Sequence, residues 1–267
     1  MIRLWIFVFA TSLVLTLSAS AQQTPAPTPT PVRDPSALAL FQATVKKLGG
    51  AAPNDSTVTG NITEVLGSTT NTGTIKIETL GTDRTFEQVS YPSATQEIIY
   101  SQGEANYVSD AAVKPFYLQR AASAQSPIFL LPLLQGMLAN PDVAYQDIGP
   151  DVVNGETAEH LRIWNTYASQ TADWQAIGPF TARDIWIDPS SAFPLRVSYV
   201  QYETGGTGPG VPIDVFYSNY QSTNQLQYPF SVNESVNGTP WRTIQISSVI
   251  VNSGLGNSNF PITLGQP

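Results

Sequence analysis

The sequence predicts an α+β protein whose main element is a curved antiparallel sheet. An amphipathic helix opens the domain near residue 34, and strand patterns of period two with short connections follow from Ser56 onward. No alternation of helices and strands occurs of the kind that a parallel sheet requires. The chain has 267 residues, which is enough for one domain with a sizeable core.

The first 21 residues have the features of a secretory signal peptide. Arg3 precedes an apolar run that ends at Leu17, and Ala19-Ser20-Ala21 supplies the small residues of a cleavage site. Cleavage after Ala21 predicts a periplasmic or secreted protein, since no later stretch is long enough to span a membrane. The sequence has no cysteine, so neither a lipid-modified anchor nor a disulfide is expected.

A Pro/Thr-rich linker at residues 22–33 separates this signal from the domain, which is predicted to span residues 34–267. The opening helix can be capped by Asp34, has Pro35 in its first turn and ends at Gly49-Gly50. Its apolar face is formed by Leu38, Phe41, Val45 and Leu48. This face predicts packing against the sheet.

Short strands bounded by Gly, Asn, Asp and Ser clusters make up the rest of the chain. In the first half they are predicted at residues 56–65, 74–80, 84–89, 96–101 and 106–109. In the second half, Asn154-Gly155 and Asn237-Gly238 predict tight hairpin turns. Another hairpin is expected around Asp188-Pro189, and further strands at residues 213–217, 227–232 and 241–251.

The strand pattern stops between Val113 and Ala139, where one segment is unusually apolar. Ser126-Pro127 can start a helix there, and Pro132 should kink or restart it because proline lacks a backbone donor. The run from Ile128 to Leu138 is apolar on more than one side. It is therefore either a core helix that covers the sheet or a lid or wall for an apolar ligand.

The composition argues against several functions. With 20 acidic and 12 basic residues, the chain lacks the basic face that nucleic acid binding requires. His160 is the single histidine and cysteine is absent, so no zinc site, other metal site or cofactor is predicted. The glycines at 205–210 follow no strand that leads into a helix, which indicates a surface loop and not a phosphate cradle.

Asp184 and Asp188 are the carboxylate pair to consider for catalysis, because they flank Trp186 on one strand face. Residues four apart in a strand are ~13 Å apart, beyond the ~5–9.5 Å used in glycoside hydrolysis. Asp188 is also explained by the Asp-Pro turn that it starts. No catalytic residue is predicted, and a secreted hydrolase is only the third hypothesis.

Several segments together resemble the LolA/LolB-like superfamily of envelope lipoprotein carriers and sensors, which includes mycobacterial lipid-binding lipoproteins and RseB. The most specific is DIWIDPSSAFPLRVSYV at Asp184–Val200, with its Asp-Pro turn and FPLRV return strand. DVVNGETAEHLRI at Asp151–Ile163 resembles the hairpin before it. The opening helix, GNITEV, GTIKIET and the terminal strands extend the resemblance over most of residues 36–260.

The resemblance implies an incomplete barrel whose concave face is covered by helices, with an apolar cavity between them that takes acyl chains. The leading hypothesis is thus a non-enzymatic envelope protein that binds a lipid or a lipoprotein acyl chain. The alternative is an RseB-like sensor or scaffold that binds an envelope protein. The residues expected to line the cavity are Phe116, Ile128, Phe129, Leu131, Leu134, Met137 and Leu138, with Trp186 and Trp241 on the sheet side.

Overall fold

The computed structural model describes residues 32–109, 112–116, 118–202 and 209–262. The predicted signal peptide, most of the linker and the glycines at 205, 206 and 208 lie outside the described residues. The helices in the described ranges are α1 (Pro35–Leu48), α2 (Leu118–Ala121), α3 (Leu130–Ala139) and α4 (Ala172–Gln175). Short 3-10 turns occur at Gly178–Thr181 and Asn257–Asn259.

Thirteen strands in the described part of the chain form a single sheet in which every neighbouring pair is antiparallel. In chain order they are β1 (Asp55–Leu66), β2 (Thr69–Leu80), β3 (Arg84–Ser90), β4 (Thr95–Ser101), β5 (Glu104–Ser109), β6 (Ala112–Pro115), β7 (Val143–Val153), β8 (Glu156–Asn165), β9 (Arg183–Ile187), β10 (Pro194–Gln201), β11 (Val211–Thr223), β12 (Leu226–Val236) and β13 (Thr239–Val251).

The order of strands in the sheet explains the position of the apolar segment. The chain runs as a meander from β1 outward to β6, one edge of the sheet. It then passes through α2 and α3 to β7, the other edge, and meanders back until β13 pairs with β1. The connection that contains α2 and α3 therefore joins the two edges of the sheet.

The sheet must be strongly curved, because distant strands share one core. Val89 on β3 and Leu161 on β8 belong to the same buried cluster, together with residues of α1 and α3. Eight strand spacings separate β3 from β8, which is ~38 Å in a flat sheet. Helices of 14 and 10 residues could not cover that width, so the strands wrap around them. We call the side that α1 and α3 cover the inner face.

The opening helix forms as its sequence predicts. The Asp34 carboxylate accepts hydrogen bonds from the backbone N–H groups of Ser36 and Ala37, at 2.9 and 3.4 Å. Lys46 and Lys47 lie in the last turn, and Gly49 ends the helix at a φ of 135°. The apolar face is buried, and the Phe41 ring lies 5.1 Å from the ring of Tyr145 on β7.

Helix α3, which the apolar segment forms, differs from its prediction. It does not start at Ser126-Pro127 but at Leu130, and residues 126–129 are non-helical. Pro132 consequently lies in the first turn, where backbone N–H groups have no partner within the helix, so it causes no kink. Of the two effects expected of Pro132, a kink or a restart, a helix that begins only at Leu130 agrees with the restart. No described helix is long and apolar enough to cross a membrane.

Candidate functional site

The apolar segment that the sequence singled out is mostly part of the core. Ile128, Phe129, Leu131 and Leu134 are at most 3% exposed and belong to the main buried cluster on the inner face. The Phe129 ring stacks on Tyr228 of β12 with 4.6 Å between centroids. These four residues lie together in this cluster, where they pack as part of the core.

The far end of α3 is anchored by polar contacts and by a close approach. Tyr145 Oη donates to the Met137 carbonyl over 2.9 Å, and the Gln135 side chain accepts from the Ala52 N–H. A Cβ on Gly136 would lie 3.1 Å from the Thr82 carbonyl oxygen. Met137 and Leu138 are half-buried against the core. This helix is therefore held close to the sheet at both ends.

The remaining predicted residues lie in two different places. Phe116 and Trp241 are both half-buried and line one cavity on the inner side of the sheet. Trp186 lies on the opposite, outer face, because its neighbours Ile185 and Ile187 point into the inner core. Trp186 is thus not brought together with the other predicted residues.

On the outer face, Trp186 belongs to a stacked polar cluster. Its ring stacks on His160 at 4.2 Å between centroids, and the Arg196 guanidinium lies 4.1 Å from its centroid. Its indole N–H donates to the Asp151 carboxylate over 2.8 Å. His160 Nε2 is 2.9 Å from Asp184 Oδ1. His160 therefore packs and hydrogen-bonds locally.

The two carboxylates considered for catalysis are both engaged. Asp184 accepts hydrogen bonds from Nε and Nη2 of Arg162 at 3.0 and 2.9 Å, in addition to its contact with His160. Asp188 accepts from the hydroxyls of Ser190 and Ser191, which close its turn. The bonds with these serine hydroxyls lower the pKa of Asp188. Both groups have the partners of structural carboxylates.

Three neighbouring cavities lie away from the cluster around Trp186, and we name them by position. The mouth cleft, about 520 Å³, opens where the β1–β2, β10–β11 and β12–β13 connections meet. The central cavity, about 310 Å³, shares Gln201, Tyr202 and Trp241 with the mouth cleft. The inner cavity, about 220 Å³, shares Gln125 with the central cavity.

The mouth cleft is the apolar member of the three. Apart from the three shared residues it is lined by Val65, Leu66, Gly67, Val211, Ile213, Val236, Thr239 and Pro240. Val65, Leu66 and Val211 remain 44%, 54% and 39% exposed, so large apolar side chains stand at its rim. Its volume lies within the ~300–1,000 Å³ of small-molecule sites. The cleft can therefore take up an apolar ligand from solvent.

The central cavity is charged. Arg242 on β13 is surrounded by Glu64, Glu87 and Glu234, at 2.7, 3.6 and 3.8 Å. All four side chains are on the inner face and at most 10% exposed. Burial raises the pKa of Glu234 to about 7, and the nearby Glu87 and Glu64 add to this effect while Arg242 opposes it. Ser126 Oγ also donates to Glu87 over 2.7 Å.

The inner cavity contains a buried arginine. Arg183 on β9 is 2% exposed, and its guanidinium lies 5.3 Å from the centroid of the Tyr199 ring. Its Nη2 reaches the Gln125 carbonyl at 3.4 Å, whereas its Nε has no hydrogen-bond partner among the described residues. Tyr100, Asn140, Asn165 and Thr181 also line this cavity.

The sequence analysis did not single out these inner charges, although their strand phase gave a signal. In RDIWI, Arg183 alternates with Ile185 and Ile187, which face the core. On β13, Arg242 alternates in the same way with Ile244 and Ile246, which face the core. A charged residue in the phase of core residues indicates a buried charge.

Comparison with solved structures finds related folds. A domain assigned to outer membrane lipoprotein sorting, from Vibrio parahaemolyticus, has a TM-score of 0.56 at 13% identity, covering 84% of this chain and 96% of that chain. A DUF1329 family protein from Desulfovibrio piger gives 0.55 at 12%, covering 84% and 97%. A LolA superfamily protein from Nitrosomonas europaea gives 0.53 at 14%, covering 83% and 97%. No family model and no curated protein sequence matches the chain.

The topology, the curvature and the helices on the inner face define an open antiparallel half-barrel. More particularly, the chain has the fold of the LolA superfamily. The fold class and the resemblance predicted from the sequence are thereby confirmed.

Proposed function

We propose that this protein is an exported, non-enzymatic binding protein of the cell envelope that holds a lipid or lipoprotein acyl chain. The observation that carries the proposal is the mouth cleft, an open apolar cleft of about 520 Å³ at one end of the half-barrel. One relative in fold is a domain assigned to outer membrane lipoprotein sorting, which agrees with this role. The signal features of residues 1–21 provide the route of export.

The energetics of such a site require no catalytic group. Each methylene that leaves water contributes about 0.8 kcal/mol, so ten methylenes contribute roughly 8 kcal/mol. Association costs remove several kcal/mol of this gain, which leaves reversible binding. Reversible binding is what a carrier needs, since it must also release its ligand. The engaged state of Asp184 and Asp188 agrees with a role that involves no hydrolysis.

The proposed site differs from the one expected from the sequence. Ile128, Phe129, Leu131 and Leu134 lie in the core and do not line the mouth cleft, whereas the contacts with ligand are assigned to Leu66, Val211 and Trp241. Trp241 stands between the mouth cleft and the central cavity, with the Arg242 guanidinium 3.8 Å from its ring centroid. It is therefore the residue at which an entering chain would meet the charged interior.

Binding can be tested with a fluorescent fatty acid and matched aspartate variants. Val211→Asp places a charge at the rim of the cleft, and we expect it to weaken binding at least tenfold. Val152→Asp is the control, because Val152 is exposed, lies on β7 and is not part of the cleft. Wild-type protein that ignores the probe, or equal affinity of both variants, would contradict the proposal.

The exposed rim also favours the second candidate, an envelope protein that inserts an apolar side chain into the same cleft. The 54% exposure of Leu66 makes it accessible to either occupant. A photo-crosslinking residue at position 66, used in cells of the source organism, separates the two. An adduct with the mass of a lipid supports acyl binding, whereas a protein adduct supports the sensor or scaffold.

A further inference from the structure

Arg183 is a buried cation for which the described residues supply no anion. It is 2% exposed, and no carboxylate of the described residues lies within 4 Å of it. The nearby groups that act on its charge are the phenols of Tyr199, Tyr100 and Tyr217. Because an uncompensated buried charge is costly, such a residue needs an explanation.

Arg242 is another arginine on the inner face, and its charge is compensated by carboxylates. Three carboxylates, Glu64, Glu87 and Glu234, lie within 4 Å of it. Arg183 has instead one long bond to the Gln125 carbonyl and an Nε without a partner. Both arginines line a cavity, Arg183 the inner one of about 220 Å³ and Arg242 the central one of about 310 Å³. The difference between them is that Arg242 has carboxylate partners in its cavity, whereas the described residues place none within 4 Å of Arg183.

The lining of the inner cavity suits a small polar anion. Thr82, Tyr100, Asn140 and Asn165 supply polar groups around Arg183. Asp83 also lines the cavity, but it forms an ion pair with Arg84 at 3.0 Å. Burial raises the pKa of Tyr100, so this phenol is neutral at pH 7 and does not compensate the guanidinium.

We propose that the inner cavity is a binding site for a carboxylate, held by the guanidinium of Arg183. The planar fork of arginine matches the two oxygens of a carboxylate, and the free Nε is one prong of that fork. The carboxylate belongs either to a free short-chain acid or to the head of a fatty acid. The head of a fatty acid would have to reach the inner cavity from the central cavity, past Gln125, which lines both.

The test is calorimetric titration with hexanoate, hexanol and hexadecanoate. Hexanoate should bind the wild-type protein, and Arg183→Met should weaken this binding at least tenfold. Hexanol lacks the charge, so any binding of it should not respond to this variant. Arg162→Met is the matched control, because it removes the same charge from the outer face and should leave hexanoate affinity unchanged.

Stability provides a second, independent readout. Since Arg183 has no buried anion to leave behind, Arg183→Met should keep or raise the urea midpoint while hexanoate binding is lost. Arg183→Lys keeps the charge but not the fork, so it should fold and bind hexanoate more weakly. If Arg183→Met instead unfolds as readily as Arg242→Met, the guanidinium is structural and the proposal is wrong.

The two sources of the carboxylate are separated by the long-chain acid. Tighter binding of hexadecanoate than hexanoate, with the same loss in Arg183→Met, assigns the site to a fatty-acid head. Equal affinities assign it to a short acid. No hexanoate binding, an unchanged affinity in Arg183→Met, or stronger binding of inorganic phosphate would overturn the inference. Val211→Asp should leave hexanoate binding intact, so this site is tested separately from the mouth cleft.

Discussion

Arg242 Nε donates a 2.7 Å hydrogen bond to Glu64 Oε1 across the pair that joins the first and last strands of the sheet. The two residues are direct partners in the register of β1 and β13. The pairing of β1 with β13 connects the two meanders, which extend from there to opposite edges of the sheet. The buried charges therefore lie where the two halves of the half-barrel meet.

Replacement of Arg242 should destabilise the protein strongly. Arg242→Met would leave Glu64, Glu87 and Glu234 buried without their cation, at an expected cost of about 3–5 kcal/mol. Urea unfolding followed by circular dichroism measures this change. Arg162→Met removes a half-exposed arginine from an outer ion pair and should cost about 1 kcal/mol or less. Similar losses in both variants would contradict a stabilising role of the buried cluster.

The stability of the protein should depend on the titration of Glu234. Burial raises its pKa from 4.5 to about 7 in the folded protein, so the folded state binds a proton that the unfolded state has lost between these values. This contribution is fully present below pH 4.5 and is lost as the pH rises through 7. The size of the loss is about 3 kcal/mol.

Glu234→Gln isolates this effect, because glutamine keeps the shape and cannot ionise. The free energy of unfolding, measured in urea from pH 4 to 8, should fall with pH in the wild type relative to the variant. Above pH 7 the variant is expected to be the more stable protein, since it avoids a buried carboxylate close to Glu87 and Glu64. Parallel pH profiles would show that Glu234 does not titrate in this range.

Local features of the sequence were sufficient to predict many of the elements. The Asn-Gly pairs at 154–155 and 237–238 have positive φ at both residues, as tight hairpin turns require. The capped helix α1 and the strands β1 to β5 lie where they were predicted, whereas β6 was not predicted. By contrast, the β11–β12 turn uses Asn224 and Gln225 at positive φ, without a glycine to mark it.

Features that depend on distant parts of the chain could not be predicted in the same way. The pairing of β1 with β13 joins residues almost 200 positions apart, and no local pattern encodes it. The mouth cleft is built by ends of strands from both meanders, so Leu66 and Val211 have no shared sequence signal. The apolar run at Ile128–Leu138 was conspicuous, yet its composition could not distinguish core packing from a lid.

Gly60 marks the place where β1 shifts its register against β13, and alanine there should be destabilising. Its missing Cβ lets the backbone approach Gln245, whose carbonyl oxygen a side chain at this position would contact. Because this neighbour is backbone and cannot move aside freely, Gly60→Ala should cost about 1–3 kcal/mol. Gly256→Ala is the control, since a Cβ at that position would have no neighbour within 4 Å and the φ of Gly256 is −121°. It should change the free energy of unfolding by less than about 0.5 kcal/mol.

Leu134 and Met137 provide the test of whether α3 is a fixed part of the core. Leu134 is fully buried, so Leu134→Ala should cost about 2–5 kcal/mol through lost burial and an unfilled cavity. Met137 is half-buried beside the inner cavity, and Met137→Ala should cost less because that volume is already open. Urea unfolding of both variants measures the difference. If α3 were a lid packed loosely on the sheet, Leu134→Ala would cost little stability, whereas a large loss shows that the Leu134 side chain is a fixed part of the core.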